Sequence, residues 1–349
     1  MRSFDEIFED KTKYGTKIKT SEYKEIGKYA IIDQGQEEIA GYTDLEKGVF
    51  EDVPAIIFGD HTRVIKYVRD PFFLGADGVK ILKCKELNAN YKYLYYALKN
   101  AKIPNTGYNR HFKWLKQIQI ECPSIDKQEK IVKILDKVVM VIEDRRKEIQ
   151  ELDKLIKARF IELFGTYPGN EKGWNTGNIR DVVSEVRYGS SRPAVDGGRY
   201  PYLRMNNITY GGELDLSDTK RIDIPDSELA KCTVRHGDVL FNRTNSTELV
   251  GKTCVYNRDE MMVLAGFVIR VRVNEKVLPE FLSAFLNTDF SKKMLLGMCK
   301  TAIGQANINA QELQNIGLYV PPIDLQQEFV DFKIQVNKSK VAVQKALDE

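Results

Sequence analysis

Pro123-Ser124-Ile125-Asp126-Lys127-Gln128 returns 198 residues later as Pro321-Pro322-Ile323-Asp324-Leu325-Gln326. Each copy closes one half of the chain and opens a helix-like stretch, so these two hexads decide the fold. The repeat reaches back from them almost to the N-terminus. Phe4-Asp5-Glu6-Ile7 with Tyr14-Gly15-Thr16 matches Ile179-Arg180-Asp181-Val182 with Tyr188-Gly189-Ser190. Gly27-Lys28-Tyr29-Ala30-Ile31-Ile32 matches Gly198-Arg199-Tyr200-Pro201-Tyr202-Leu203 at an offset of 171. Ile56-Ile57-Phe58 pairs with Val239-Leu240-Phe241 at 183, Gly78-Val79 with Gly266-Phe267 at 188, and Gly107 with Gly304 at 197. The offset drifts only between matched blocks, as it does when two copies of one fold keep their core strands and diverge in loop length.

In each hexad the aspartate, with Glu129 or Gln327 three residues on, has the form of a capping box, which predicts Asp126 and Asp324 as N-caps. Beyond the first, Ile131, Leu135, Val138, Ile142, Ile149, Leu152, Ile156 and Leu163 fall on alternating steps of three and four, interrupted by Arg145 and Arg159. Such an a/d seam over five heptads marks a coiled-coil-like helix. It stops near Gly165, before Pro168-Gly169, and at 1.5 Å rise per residue spans roughly 58 Å. Phe329, Val336 and Val343 keep the register, 198 residues after Ile131, Val138 and Arg145. One apolar stripe alone is only marginally stable in water, so two in one chain predict antiparallel rods packed on each other. The plainer alternative is two amphipathic helices, each lying on its own domain. The second stretch reaches Glu349 about two turns short of its counterpart's end, which reads as a trimmed chain or an asymmetric rod.

The 349 residues suit two domains, each able to bury its own core, divided as 1–123, a helix over 124–165, 170–321, and a short helix over 322–349. Hydrophobic content of 42% with 30% charged residues reads as soluble and globular, and no apolar run approaches membrane-spanning length. Met1-Arg2-Ser3-Phe4-Asp5-Glu6 lacks the blocks of a signal peptide. The five cysteines are scattered without CxxC spacing, and reduced thiols in the cytoplasm are the expectation. A net charge of +3 is low for a protein that coats nucleic acid, so any such binding must come from local loops.

Between the helices the chain reads as strand and loop. Ala55–Phe58, Val79–Leu82, Asp238–Phe241 and Gly266–Val271 are short β-prone runs, and 91–98 and 279–286 look like matching short helices, the second with proline first. The loops hold the polar chemistry. His61, Thr62 and Arg63 follow a strand in the first half, and Tyr108, Asn109 and Arg110 precede the approach to the helix. In the second half Arg243, Asn245 and Ser246 follow the equivalent strand, Gln305 and Asn307 take the later place, and Arg192, Arg204, Asn206 and Asn207 add to them. These side-chain types bond to base edges and phosphates, although polar loops are also commonly solvated turns. Equivalent loops with different residues of one chemical type fit one scaffold reading two sequences.

Several of these stretches together resemble the specificity subunit of type I restriction–modification enzymes. The carriers are Tyr200-Pro201-Tyr202-Leu203-Arg204-Met205-Asn206-Asn207-Ile208, Gly237 through Ser246, Glu248-Leu249-Val250-Gly251-Lys252, and the Pro-x-Ile-Asp-x-Gln helix entries. In the first half Asp33-Gln34-Gly35, Ala40-Gly41-Tyr42-Thr43 and Phe58-Gly59-Asp60-His61-Thr62 look like that family's other common domain type. The resemblance covers essentially the whole chain. It implies an α+β fold of two similar strand-rich target-recognition domains separated by long spacer helices in a pseudo-two-fold repeat. It further implies binding to double-stranded DNA and docking of two modification subunits along the helices, with restriction subunits joining them. The apolar seam, Ile131 through Ile156 and Phe329 through Val343, would serve that docking. S-adenosylmethionine, ATP and Mg²⁺ belong in this reading to the partners, and no cofactor to this chain. The short second helix is the departure, and it bears on how complete the docking surface is. A specificity subunit of an assembly with a fused nuclease–methyltransferase is the runner-up, and a self-contained DNA-modifying enzyme the more distant alternative.

No catalytic constellation accompanies these features. Gly251-Lys252-Thr253 ends like a Walker A motif, but Ser246 stands where its first glycine belongs and a strand pattern follows. Asp70-Pro71-Phe72-Phe73 lacks the second proline of a methyltransferase tetrapeptide, and the three histidines have no metal-binding spacing.

Overall fold

The computed structural model describes residues 1–75, 77–302 and 305–348, with the side chains of 300–302 and 305 excepted; Gly304, and with it the Gly107 match, lies outside the described residues. Contacts divide the chain into two compact units, Met1–Ile142 and Glu143–Glu349.

In the first unit an antiparallel sheet runs in the order Phe8–Asp10, Val79–Cys84, Ala55–Gly59, Ile65–Val68. A second sheet is ordered Gly41–Thr43, Tyr29–Ile32, Phe72–Leu74, its last pair parallel. Phe72, Phe73 and Leu74 are wholly buried, as a strand covered on both faces demands, so Phe72 and Phe73 of the Asp70-Pro71-Phe72-Phe73 stretch serve the core while Asp70 is exposed. Arg2–Ser3 pairs with Gln119–Ile120 to close the unit.

The second unit repeats this order. Val183–Tyr188, Val268–Val273, Val239–Asn242 and Thr253–Val255 form the antiparallel sheet. Lys220–Ile222, Tyr200–Leu203 and Met262–Leu264 form the second, again with a parallel last pair, extended by Thr233–Val234. Asn175–Asn178 with Gly317–Val320 is the closing ribbon. The short helices are Tyr91–Lys99, whose N-cap Asn90 accepts from the Tyr93 N–H, and Pro279–Asn287. A further helix, Asp289–Met298, follows in the second unit.

The long helices are Ile125–Phe164 and Ile323–Asp348. Both begin one residue before the predicted caps, so Asp126 and Asp324 lie in the first turn. There a carboxylate favours the helix dipole instead of capping. Gly165, at φ +83°, ends the first helix as expected.

Within the second unit, residues 143–164 run antiparallel to Ile323–Asp348. Arg159 pairs with Glu328 at 2.6 Å, Lys340 with Asp153 at 2.7 Å, and the rings of Phe160 and Phe329 meet at 5.3 Å. Phe329, Val336 and Val343 are buried, as the register predicts. Opposite them the strict heptad reading passed over the main contact. Phe160 and Phe164 fill the core where it placed Arg159 and Leu163. A straight α-helix drifts about 20° per heptad against a 3.5-residue repeat, which carries the stripe one residue on. Ile156 still packs on this core, while Ile149 and Leu152 are half-buried. In the first unit Lys92 and Tyr96 of the short helix bond Asp136 at 2.7 and 2.6 Å, and Ile131 and Val138 beside it are 38% and 48% exposed. Leu135 and Ile142 are half-buried, and Val132 packs on the domain core in their place.

Candidate nucleic-acid interface

Two loops predicted separately in the first unit are stapled together. The Asp60 carboxylate accepts the Phe112 N–H at 2.7 Å, and the Asp60 carbonyl accepts the His111 N–H at 2.8 Å. The same carbonyl faces His111 Nδ1 at 3.0 Å, so Nδ1 carries the proton and Nε2 accepts from Thr106. Asp60 and His111 are both buried, which fixes 59–63 beside 107–111. The His61 ring therefore lies on that of Tyr108, centroids 4.8 Å apart and planes 10° from parallel, with Tyr108 88% exposed. Thr62, Asn109 and Arg110 are exposed nearby. Gln34 organises this patch. Its carbonyl accepts from Thr62 Oγ1 at 2.7 Å, its Oε1 from the His61 N–H at 3.2 Å, and its Nε2 donates to the Asp77 carbonyl at 2.9 Å. Arg63, at φ +62°, donates to the Ile103 carbonyl at 3.2 Å, which ties its guanidinium to the scaffold.

In the second unit Arg192, Arg204, Asn206 and Arg243 line one cavity of about 530 Å³. The Arg243 guanidinium lies 4.9 Å from the centroid of Tyr188, and its backbone N–H donates to the Phe267 carbonyl at 3.0 Å. Arg192 donates to both oxygens of Glu228, at 3.2 and 2.7 Å, and this hydrogen bond holds the Glu228 carboxyl below its ordinary range. Arg204 reaches Asp218 Oδ2 at 3.0 Å. Arg192 and Arg204 are thus each paired with a carboxylate, whereas Arg243 rests on an aromatic ring.

Three other predicted residues are placed differently. Asn207 is buried; its amide donates to the carbonyls of Asp215 and Asp218 at 2.9 and 3.1 Å, and its Oδ1 accepts from the Arg204 N–H at 2.8 Å. With its hydrogen bonds used internally it positions Arg204 and cannot itself reach a base. Asn245 Oδ1 accepts from the Ser246 N–H at 2.9 Å, a local turn contact. Asn307 accepts from Thr244 Oγ1 at 3.3 Å in a ribbon of Thr244–Asn245, Gln305–Asn307 and Lys300–Ala302. The backbone of Gln305 belongs to this ribbon, and its side chain lies outside those described. Sequence reasoning missed Phe267, which reads as strand interior but stands before the strand at 54% exposure, and Tyr188, whose only signal is its match to Tyr14.

A family model described as the type I restriction modification DNA specificity domain matches residues 1–154 and again 171–348, once on each half of the repeat. The chain belongs to this family. Among specificity-domain relatives, it is 23% identical over 229 residues to the type I restriction enzyme EcoKI specificity subunit of Escherichia coli K12, covering 61% of this chain and 49% of that one. The chain thus spans about half the length of this curated relative. Two solved structures share the fold of the specificity-domain chain. A type I restriction-modification S subunit from M. genitalium aligns over 99% of this chain and 91% of its own at 15% identity, with a TM-score of 0.54. A chain from a structural study of complex assembly in the type I R-M system aligns over 100% and 90% at 16% identity, also with a TM-score of 0.54. No helix of the described residues is long and apolar enough to cross a membrane, and no group of three or more His, Cys, Asp and Glu side chains among them is placed to hold a metal ion.

Proposed function

We propose that this chain is the sequence-specific, non-catalytic DNA-binding subunit of a type I restriction–modification assembly acting in the cytoplasm. The observation that carries the reading is the double family match, one on each half, with each half presenting polar loops from the same strand scaffold. Residues 1–123 and 170–321 each read one short half of a bipartite target. The helices over 124–165 and 322–349 set the gap, as dimer geometry sets half-site spacing in other readers. Two modification subunits dock along the helical stripes and bring S-adenosylmethionine-dependent adenine methylation; restriction subunits bring ATP and Mg²⁺. His61, Tyr108 and Arg110 serve one half-site, and Arg192, Arg204, Asn206 and Arg243 the other.

The test is methylation mapping in cells that carry the complex, repeated after residues 1–120 are exchanged for another such domain. One half of the methylated target is expected to change. A change in both halves would overturn the division of labour. Methylation or cleavage by the isolated chain with S-adenosylmethionine or Mg²⁺ would overturn the non-catalytic reading.

A further inference from the structure

We infer that the cavity of the second unit receives a single nucleobase turned out of the DNA stack. The inference rests on the DNA-binding reading above and names what this part of the surface binds.

The recess lies where the exposed 191–194 loop meets the ends of two strands, and hydrogen bonds hold the loop's start and the strands together. Tyr202 donates its hydroxyl to the carbonyls of Ser190 and Arg192 at 3.2 and 3.0 Å. The Ser190 N–H donates to the Leu264 carbonyl at 2.6 Å, and the Gly266 N–H to the Ser190 carbonyl at 2.7 Å. One wall is therefore tied to the ends of the strands Tyr200–Leu203 and Met262–Leu264, and the other is the 191–194 loop. At about 530 Å³ it falls among sites that enclose small organic ligands, about 300–1,000 Å³.

Its chemistry suits a flat ring with a polar edge. Pro193, Met205 and the exposed ring of Phe267 supply apolar surface. Arg192, Arg204, Asn206 and Arg243 line the recess and bring hydrogen-bond donors to it. A base carbonyl, ring nitrogen or phosphate oxygen accepts from such donors. An intact duplex presents its base edges to side chains that project into the groove, so it leaves a recess of this kind empty. A base swung out of the helix fills it, stacked on an aromatic side chain and read by donors at its edge.

The experiment uses the complex purified from cells and duplexes carrying its mapped target. Each position of the half-site read by the second unit is replaced in turn by an abasic residue, and each purine by 2-aminopurine. One position, distinct from any methylated adenine, is expected to show a several-fold rise in 2-aminopurine fluorescence and to bind at least as tightly when abasic, because no stacking is broken there. Ala194→Phe, which fills the recess from an exposed position, is expected to abolish that rise while the other half-site is still read. Sequence-specific binding with no such position, or a rise unchanged by Ala194→Phe, overturns the inference and leaves the proposed function standing. Loss of all sequence preference in the unmodified complex overturns both.

Discussion

Gln128 and Gln326 make the same hydrogen bond 198 residues apart: each buried amide donates to the carbonyl of the proline five residues earlier, Pro123 or Pro321, at 2.8 Å. The contact closes the chain reversal that leads from ribbon into helix, which gives the Pro-x-Ile-Asp-x-Gln motif a physical cause. Gln326 goes further than its counterpart, donating to the Lys276 carbonyl at 3.1 Å and accepting from the Leu278 N–H at 2.8 Å. Gln326→Leu therefore strands the buried Pro321 carbonyl, at about 1–3 kcal/mol, removes two part-buried bonds besides, and is expected to destabilise more than Gln128→Leu. The two tryptophans, Trp114 and Trp174, lie one in each unit. Urea unfolding of single-tryptophan variants then reads each unit separately, and equal losses for the two substitutions would contradict the unequal bonding.

The helix stripe is expected to divide by energy as it divides by burial. Phe160 is buried against Phe164, Phe281 and Phe329, so Phe160→Ala should cost the second unit about 3–5 kcal/mol. Ile131→Ala and Val138→Ala, at exposed positions, should change the first unit's unfolding free energy in urea by no more than about 0.5 kcal/mol. A large effect at Ile131 in the isolated chain would mean that the stripe is already covered.

How far the sequence foretold this arrangement depended on the kind of signal. Core strands such as Ala55–Gly59 and Val239–Asn242 are continuous apolar runs and were legible twice over through the repeat. The helix entries were legible from the paired hexads, with the caps displaced by one residue. Phe160 was not, because a fixed 3.5-residue period conceals the drift of a 3.6-residue helix. Asn207 was misread for another reason: residue type alone does not tell an amide aimed at solvent from one spent on the carbonyls of Asp215 and Asp218. The staple of Asp60 to His111 joins loops some fifty residues apart, and no local pattern announces it.

Acid should weaken the second unit through Glu185. Hydrogen bonding from Arg187, with the charges of Arg270 and Arg272 nearby, holds this carboxyl below its ordinary range against the opposing cost of burial. A carboxyl depressed in the folded state contributes stability above its unfolded value, about 4.3 for glutamate, and loses it as pH falls through the folded value. The Trp174 unfolding midpoint should therefore decline below about pH 4.3. Glu185→Gln should flatten part of that decline. It should also cost about 3 kcal/mol at neutral pH, since Arg270 is 1% exposed and bonds Glu185 at 2.9 Å. A variant with an unchanged acid limb would show that other carboxylates carry it.

The proposed division of recognition between units predicts separable losses of specificity. Arg243 rests on the face of Tyr188, a contact that needs the planar guanidinium, so Arg243→Lys should behave nearly as Arg243→Ala. Either change should relax reading at one position of one half-site by about 1–3 kcal/mol. Tyr108→Ala should remove the ring that stacks on His61 and weaken the other half-site, while Tyr108→Phe, which keeps the ring, should preserve it. Competition binding with duplexes altered in one half at a time separates the two effects. If Arg243→Ala and Tyr108→Ala relaxed the same base positions, the twin loop clusters would be serving a single site, and a two-headed reader would no longer explain why the chain repeats itself.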